Sequence, residues 1–387
     1  MKIFFISKTY LSKLSFNQLI EISKLGAEVH LVTPSHWGKQ KVEYNYKEKE
    51  GVYIHFLERY FNGNNHLCIN KKGLRKILQK VPFDIIHLDE EPYSLISFQC
   101  ANIIREFKKP FVFFSWQNIY KSYPLPFCMI EKFVYKYSVG AVAGSNDAKN
   151  VLLKKGYKKP IVVSSNVGVD INSYKKVDVE ELKNRFNLNN KIVIGYVGRL
   201  VKEKGIYILL KAFLRIYKNF KDIVLIYIGS GPEQKNLIRI IKNSNLTEVV
   251  YVINFISSTQ LICYYSLIDI LVLPSFEYKN KFFFWKGWKE QFGRVLIEAM
   301  ASEVAVVGSS CGEIPNVVGD AGLIFKEKDD LDLSCKIKTL LTNRALRDLI
   351  SKKGRERVLK NYSCQVIAKQ LFDFYSKVLN KHYENTY

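Results

Sequence analysis

Two glutamates stand eight residues apart in the segment Trp288–Ala301, with a glycine between them. A helix that begins at Gly293 leaves Glu290 in the preceding loop and carries Glu298 more than one turn inward. Carboxylates accept paired hydrogen bonds from vicinal hydroxyl groups, which hexoses and ribose display. The spacing therefore predicts a sugar-binding site. An ordinary amphipathic helix with both glutamates in water is the alternative.

A glycine-rich turn supplies positive charge earlier in the chain. The segment Gly195–Gly205 reads GYVGRLVKEKG and lies where a predicted strand passes into a predicted helix. Gly198 lets the backbone approach an anion closely, and a helix N-terminus offers unpaired N–H groups. Arg199 and Lys204 add full charges that suit a diphosphate. A tight turn with two solvated bases is the alternative.

Two shorter motifs carry less information. Gly229-Ser-Gly231-Pro232 follows another predicted strand but lacks the third spaced glycine of a dinucleotide fingerprint, so by itself it indicates a turn. Asp330-Leu-Asp332 has a D-x-D pattern, yet it precedes an amphipathic stretch, and helix capping explains it. The six histidines are scattered, and the sequence predicts no metal site.

These motifs have to be positioned by regular elements, and short apolar runs alternate with helical patterns along the chain. Continuous apolar strands joined by helices indicate parallel sheets covered on both faces. The first predicted strands are Ile3–Ser7, Glu28–Thr33, Ile85–Leu88, Phe111–Ser115, Gly140–Ala143 and Ile161–Ser164. The second series is Ile192–Val197, Ile223–Ile228, Val249–Ile253, Ile270–Leu273 and Ala305–Gly308. We therefore predict an α/β protein of two doubly wound domains, residues 1–170 and 171–363, with a terminal helix in 364–387 packing back on the first.

The order of the motifs in residues 190–330 resembles the retaining family 4 glycosyltransferases of the GT-B fold (glycosyl transferases group 1). It runs G-R-x4-K-G, G-x-G-P, P-S-x14-E-Q-F-G-x4-E-A-M-A and G-E-I-P-x3-G-D-A-G-L-I-F. The first half is similar more loosely, through Asp84–Leu95 and Trp116-Gln117-Asn118. The resemblance implies two Rossmann-like domains facing across a cleft, the first binding the acceptor and the second a nucleotide sugar.

The resemblance also implies roles for individual residues. Those with catalytic roles are Arg199, Lys204, Glu290 and Asp89. The two bases would stabilise the departing diphosphate, Glu290 would grip the donor sugar, and Asp89, or Glu90 in its place, would lie beside the reacting sugar. The donor-binding residues are Gly198, Gly229, Gly231, Phe292, Gly293 and Glu298, the last on the ribose hydroxyls. The acceptor-side candidates are Glu90, Glu91, Trp116 and Asn118.

Two segments depart from the pattern of that family. Many members carry a glycine pair after the first strand, where this chain reads SKTYLSKLS from Ser7 to Ser15, so phosphate or acceptor contacts there stay open. The stretch from Glu277 to Trp288 is longer than usual. Its aromatic residues in 282–288 would cover the donor, stack on an acceptor sugar or simply pack, and packing is favoured.

The net charge of the protein limits the classes of molecule that it is expected to bind. The 387 residues include 59 Lys and Arg against 36 Asp and Glu, a net charge of +23 spread over both halves. Such a surface suits phosphate-bearing substrates, an acidic membrane or nucleic acid. A predicted basic helical face could rest on anionic lipid, with a solvated surface helix as the alternative. Its residues are Lys71, Lys72, Arg75, Lys76 and Lys80. No nucleic-acid-binding signature accompanies the charge, so nucleic acid is not favoured.

The predicted location is the cytoplasm, with peripheral attachment to the inner face of the membrane as the further candidate. The seven cysteines form no CxxC motif, which is typical of a reducing compartment. No segment approaches the roughly 20 apolar residues that span a bilayer.

The sequence thus predicts a retaining, metal-independent transferase without a cofactor. It would move a hexose from a nucleoside-diphosphate sugar, with UDP or GDP, to a hydroxyl acceptor. The expected acceptor is a glycan or lipid-linked sugar in cell-envelope polysaccharide or glycolipid synthesis. Two alternatives stay open: a nucleotide-sugar epimerase on the same scaffold, and a non-catalytic basic binding protein.

Overall fold

The chain divides into two units, each built on a parallel sheet of its own. The computed structural model describes residues 1–37, 40–44, 46–58, 70–278 and 287–384. The N-terminal unit comprises Met1–Asp170 together with the chain from Ser363 onward, and the C-terminal unit comprises Ile171–Tyr362. In both units the central strands are continuous runs of Val, Ile, Leu and Phe, because helices cover both faces of the sheet.

The N-terminal unit begins with strands and helices in alternation. Its strands are β1 (Lys2–Ile6), β2 (Glu28–Thr33), β3 (His36–Trp37), β4 (Gln40–Lys41), β5 (Glu48–Lys49), β6 (Val52–Phe56), β7 (Ile85–Leu88), β8 (Phe111–Ser115), β9 (Gly140–Ala143) and β10 (Ile161–Val163). Its first helices are α1 (Lys13–Ser23), α2 (Lys71–Lys80), α3 (Leu95–Glu106), α4 (Phe127–Tyr137) and α5 (Asn146–Lys154). The described strands of the main sheet follow the order β10-β9-β8-β7-β1-β2-β6-β5, and β5 alone in that set runs antiparallel.

The C-terminal unit repeats the pattern with a smaller sheet. Its strands are β11 (Ile192–Val197), β12 (Ile223–Ile228), β13 (Val250–Ile253), β14 (Ile270–Leu273), β15 (Ala305–Ser309) and β16 (Leu323–Phe325). Its α-helices are α6 (Glu180–Arg185), α7 (Ile206–Tyr217), α8 (Gln234–Asn243), α9 (Ser258–Leu267), α10 (Arg294–Ala301), α11 (Ile314–Val318), α12 (Asp330–Thr342) and α13 (Arg344–Asn361). The described strands are all parallel, in the order β13-β12-β11-β14-β15-β16.

The last helix, α14 (Cys364–Glu384), belongs to the N-terminal unit. Its residues Leu371, Phe374 and Tyr375 join a core cluster that includes Phe5 of β1. The adjacent Phe4 points to the other face of the sheet and joins a second cluster with α2 and α3. The alternation along β1 therefore gives this sheet a core on each face.

Each sheet has one point where the succession of strands changes direction. In the N-terminal sheet the chain passes from β1 outward through β2 and β6, and then crosses to β7 on the other side of β1. In the C-terminal sheet β11 and β14 have the same relation. At such a point the two loops leave toward opposite faces, so a crevice opens at the carboxyl ends of the two strands. Asp89, Arg199, Lys204 and Glu290 all lie in loops that follow these strands.

The predicted α/β class with two doubly wound units is confirmed, and most predicted strands match to within a residue. Strands β6 and β16 were not predicted, although the buried Val52 and Ile54 of β6 alternate with less buried residues as in a half-buried strand. Within the described ranges, none of the helices combines the length and apolar character that a membrane crossing requires.

Candidate functional site

Two glycines allow the loops around the crevice of the C-terminal unit to approach each other closely. Gly205 follows β11 and adopts a φ of 72°, and a Cβ there would lie 1.8 Å from the carbonyl oxygen of Pro274, just after β14. Gly229 follows β12 with a φ of 141°, and its Cβ would lie 2.0 Å from the carbonyl oxygen of Gly198. A side chain at either position would push the loops apart. These glycines therefore bring the motif after β11 against both neighbouring strand ends.

Lys204 and Glu290 meet in this crevice. The Lys204 Nζ lies 2.5 Å from Glu290 Oε2, and the Ser275 hydroxyl donates to the same oxygen at 2.7 Å. The side chain of Glu290 is 8% exposed and that of Lys204 is 20% exposed. Nζ also lies 4.9 Å from the ring centre of Trp288, a cation–π contact. The two predicted catalytic residues are thus held in one partly buried cluster that remains open to solvent on the lysine side.

Glu298 forms a second cluster on the first turns of α10. Arg294 Nε donates to its Oε1 at 2.9 Å, and the Tyr265 hydroxyl donates to its Oε2 at 2.9 Å. Burial, reinforced by the charge of Glu298, raises the pKa of Tyr265 far above the usual range of a tyrosine, so the hydroxyl remains a donor. Both partners hold the carboxylate in one orientation. A second carboxylate, besides that of Glu290, is therefore held in position at the start of this helix and can accept hydrogen bonds.

The start of α10 also positions the other two predicted residues of this segment. Gly293 caps the helix with a φ of 85°, a left-handed conformation that favours glycine. The ring of Phe292 packs edge-to-face against Tyr362, with 5.7 Å between ring centres, so its side chain belongs to the core. A ligand at this point would meet the backbone of Phe292 rather than its ring.

Arg199 stands at the rim of a cavity of about 220 Å³. Its walls include Gly198 and Gly229, and the ring of Phe255 contributes an apolar side. The ring of Phe255 is 78% exposed, which is unusual for phenylalanine. Gly231, by contrast, packs on the carbonyl of Leu200 and supports the turn. The cavity is largely apolar and lies next to a guanidinium group.

In the N-terminal unit, Asp89 lies at the corresponding crevice, directly after β7. Its Oδ2 accepts hydrogen bonds from the hydroxyls of Ser7 and Thr9, the latter at 2.5 Å, in the loop after β1. Burial raises the pKa of Asp89, and the two hydroxyls oppose that rise. The segment that lacks the glycine pair therefore supplies polar partners to this acid. Sequence reasoning missed these partners, although two hydroxyl residues directly after a strand were a visible signal.

Glu90 has a different partner from Asp89. Its carboxylate pairs with Lys8 Nζ at 2.8 Å and is 2% exposed. Lys8 in turn lies 4.9 Å from the ring centre of Trp37. The two neighbouring acids are thus distinguished by the structure, one bound to hydroxyls and the other to an ammonium group.

Glu91 faces the end of β8. The Ser115 hydroxyl donates to its Oε2 at 2.8 Å, and the Trp116 backbone N–H donates to its Oε1 at 2.7 Å. Burial raises the pKa of Glu91 to about 7. The Trp116 indole covers Gly144, where a Cβ would lie 2.1 Å from the ring, and Asn118 follows in the same loop, half-buried. The acceptor-side candidates therefore gather after β7 and β8.

Gln117 is a further polar residue of this loop that the sequence analysis did not single out. Its Oε1 accepts from Lys155 Nζ at 3.2 Å, and Lys155 also pairs with the buried Glu131 at 2.6 Å. The Gln117 Nε2 is buried without a hydrogen-bond partner. Its only sequence signal was its position between two candidates.

The shifted pKa of Glu91 leads to a stability prediction. Between about pH 4.5 and pH 7 the folded protein holds a proton that the unfolded chain has released, so the stability contributed by this group falls as the pH rises. Glu91→Gln stays neutral at every pH. We expect it to raise the Tm by about 3 °C at about pH 8 and to have no effect near pH 4, as measured by thermal denaturation.

The matched control is Glu106→Gln in the same unit. Arg75 lowers the pKa of the Glu106 carboxyl through a bidentate hydrogen bond, so neutralising Glu106 should not stabilise the protein at the higher pH. An equal gain in Tm for both variants would contradict the assignment to Glu91.

Comparisons with known proteins bear on the family of the C-terminal unit and on the fold of the chain. Residues 178–357 match the family model described as glycosyl transferases group 1. The C-terminal unit belongs to this family. The structure of HepE from Anabaena in complex with UDP-glucose superposes on this chain with a TM-score of 0.74, covering 97% of this chain and 100% of that one at 18% identity, so the two chains share a fold. The GT-B fold is thereby confirmed.

Two relatives by sequence belong to different biosynthetic contexts. The chain is 28% identical to the capsular polysaccharide biosynthesis glycosyltransferase CapM of Staphylococcus aureus, over 65% of each protein. It is 24% identical to the alpha-monoglucosyldiacylglycerol synthase of Acholeplasma laidlawii, over 54% of this chain and 50% of that one. The chain thus spans just under two thirds of the first relative and half of the second.

Proposed function

We propose that the protein is a retaining glycosyltransferase that moves a hexose from a nucleoside-diphosphate sugar to a hydroxyl group. The observation that carries this proposal is the cluster of Lys204, Glu290 and Ser275 at the strand switch of the C-terminal unit. A partly exposed ammonium group beside a buried carboxylate can bind a diphosphate and a sugar hydroxyl side by side. The names of the two relatives by sequence, a glycosyltransferase and a glucosyldiacylglycerol synthase, support the same class of reaction.

The donor is proposed to extend over three parts of the C-terminal unit: the cavity beside Phe255, the Glu298 carboxylate, and the cluster of Lys204 and Glu290. The apolar cavity beside Phe255 suits a planar base, since aromatic side chains stack on such rings. Glu298 is proposed to bind the ribose hydroxyls. Arg199 and Lys204 are assigned to the diphosphate, and Glu290 to the hexose. Because the HepE structure holds UDP-glucose, a UDP-hexose is the first donor to test.

The proposed chemistry needs no metal, because the two bases supply the positive charge. The bond between the anomeric carbon and the donor phosphate oxygen breaks while the acceptor oxygen bonds to the same face of that carbon. The acceptor proton passes to the departing phosphate oxygen. Lys204 and Arg199 offset the charge that develops on the diphosphate, which is the largest contribution that fixed groups make to such a step.

The N-terminal unit is proposed to bind the acceptor. Asp89 is the proposed group beside the reacting sugar, and Glu90 and Glu91 with Trp116 and Asn118 are proposed to contact the acceptor. A glycan or a lipid-linked sugar fits the names of the capsular and glycolipid relatives.

Peripheral attachment of the protein to an anionic membrane remains a proposal. The helix α2 buries its apolar residues Leu74 and Leu78, and Arg75 is paired with Glu106. Attachment through α2 would therefore be electrostatic and would weaken with salt. The cytoplasmic location also stays a prediction, although the six described cysteines are free thiols.

A panel of UDP- and GDP-hexoses tests the proposal by thermal shift and product analysis. We expect one donor to raise the Tm, because a ligand that binds only the folded state stabilises it. With that donor, a hydroxyl acceptor should give a glycoside of unchanged anomeric configuration, as detected by NMR. A new nucleotide sugar formed from the donor alone would indicate the epimerase instead. Salt-sensitive lipid or DNA binding without any response to donors would indicate the binding protein.

A further inference from the structure

The N-terminal unit holds a cavity at the amino ends of its strands, opposite the carboxyl ends that carry Asp89. It has a volume of about 280 Å³ and lies next to Val139 and Pro160, the residues that precede β9 and β10. The amino ends of these strands are far along the sheet from the carboxyl ends that carry Asp89 and its neighbours. The cavity is therefore separate from the acceptor-side residues described above.

Four basic residues line this cavity: Lys158, Lys159, Lys381 and His382. None of its described lining residues is acidic. Charges of like sign that surround one small space repel each other, and an anion placed among them offsets that repulsion. The electrostatics of the cavity thus favour a negatively charged occupant.

Hydrogen bonds to backbone carbonyls fix the position of Lys159, one of the four basic residues. Its Nζ donates to the carbonyl oxygens of Lys136 and Ser138 at the end of α4, the first at 2.6 Å. Burial lowers the pKa of Lys159, which is an energetic cost of keeping its charge there. A bound anion would reduce that cost, since a nearby negative charge favours the ammonium form.

The rim formed by α14 is held by core packing. Gly140 at the start of β9 makes room for this helix: a Cβ there would lie 2.8 Å from the Phe374 ring and 3.2 Å from Val378. Val378 also lines the cavity, one turn before Lys381. The backbone segments that carry the basic residues therefore lie side by side in the folded unit before any ligand arrives.

We infer that this cavity binds a phosphate group. Two lysines and an imidazole at the rim, with a third lysine fixed inside, match the charge and the several acceptor oxygens of a phosphate. The phosphate could be free in solution or could belong to the headgroup of an anionic lipid. The apolar wall of Val139, Pro160 and Val378 would accommodate the group that bears it.

Charge reversal at the rim tests this inference directly. The variant is Lys158→Glu with Lys381→Glu. The matched control is Lys108→Glu with Lys132→Glu, at exposed positions in the turn after α3 and in α4, which changes the net charge equally. Inorganic phosphate is titrated by calorimetry and thermal shift. We expect the wild type and the control to bind it alike, and the cavity variant to bind it at least about tenfold more weakly.

A neutral variant, Lys158→Gln with Lys381→Gln, is measured in parallel in case the reversed charges prevent folding. Its expected loss has the same direction. A wild type that does not respond to phosphate, or a loss that is equal in the cavity and control variants, overturns the inference.

Vesicles of phosphatidylglycerol, with phosphatidylcholine as reference, distinguish the two sources of phosphate. Weaker sedimentation of the cavity variant than of the control with the anionic vesicles would support a lipid headgroup. Equal sedimentation together with the selective loss of phosphate binding would support a free phosphate. Both readouts measure binding, so neither depends on whether the proposed transferase activity is correct.

Discussion

Replacement of Lys204 by alanine is expected to lower kcat by about 10²–10³-fold with a smaller change in the donor KM. The diphosphate gains charge as the sugar departs, so an ammonium group at this place interacts more strongly with the transition state than with the bound donor. The substitution also leaves the buried Glu290 without the ammonium that lies 2.5 Å away. Steady-state rates at varied donor concentrations measure both quantities.

Lys202→Ala provides the control for this experiment. Lys202 lies in the same short turn, but its side chain is 69% exposed, and its Nζ lies 3.8 Å from Glu233. It should therefore retain nearly full activity. Glu290→Gln tests the other half of the cluster and should also lower the rate. If Lys204→Ala and Glu290→Gln both turned over like the wild type, the assigned roles would be wrong.

Replacement of Glu298 by glutamine is expected to raise the donor KM by about 10–100-fold and to leave kcat nearly unchanged. The ribose is remote from the bond that breaks, so its hydrogen bonds contribute equally to the bound donor and to the transition state. The amide also turns one acceptor into a donor, which must then face either Arg294 or the Tyr265 hydroxyl. Donor affinity measured by calorimetry provides an independent readout.

Two further variants test whether the rise in donor KM is specific to the loss of the Glu298 carboxylate. Tyr265→Phe keeps the carboxylate and removes only one of the groups that orient it, so a smaller rise in KM is expected. Glu303→Gln, just beyond α10, changes a half-exposed acid that lies 3.5 Å from Arg355 and should leave the donor KM unaltered. A large fall in kcat for Glu298→Gln, with unchanged donor affinity, would place Glu298 at the reacting bond instead.

Sequence reasoning was most successful where local chemistry determines structure. The strand from Ile192 to Val197 and the glycine turn after it follow from apolar patterning and backbone freedom, which are properties of neighbouring residues. The glutamates at positions 290 and 298 lie, as expected, before α10 and inside it. Their order along the chain was enough to suggest the family.

Contacts between distant segments were not predictable in the same way. The hydrogen bonds from Ser7 and Thr9 to Asp89 depend on β1 and β7 being neighbours in the sheet, and no local pattern states which strands pair. Likewise, the basic cavity exists only because α14 packs beside β9 and brings Lys381 close to Lys158. Such long-range arrangements arise from the packing of whole elements.

The amino-acid sequence by itself determined the α/β class, the two series of strands and the residue types of the donor motif. Only the tertiary structure decided which charged groups from distant parts of the chain form ion pairs: Lys204 with Glu290, and Lys8 with Glu90. The physical reason is that strand and helix formation depends on near neighbours in the chain. The pairing and burial of a charge depend on which surfaces meet when the sheets are covered.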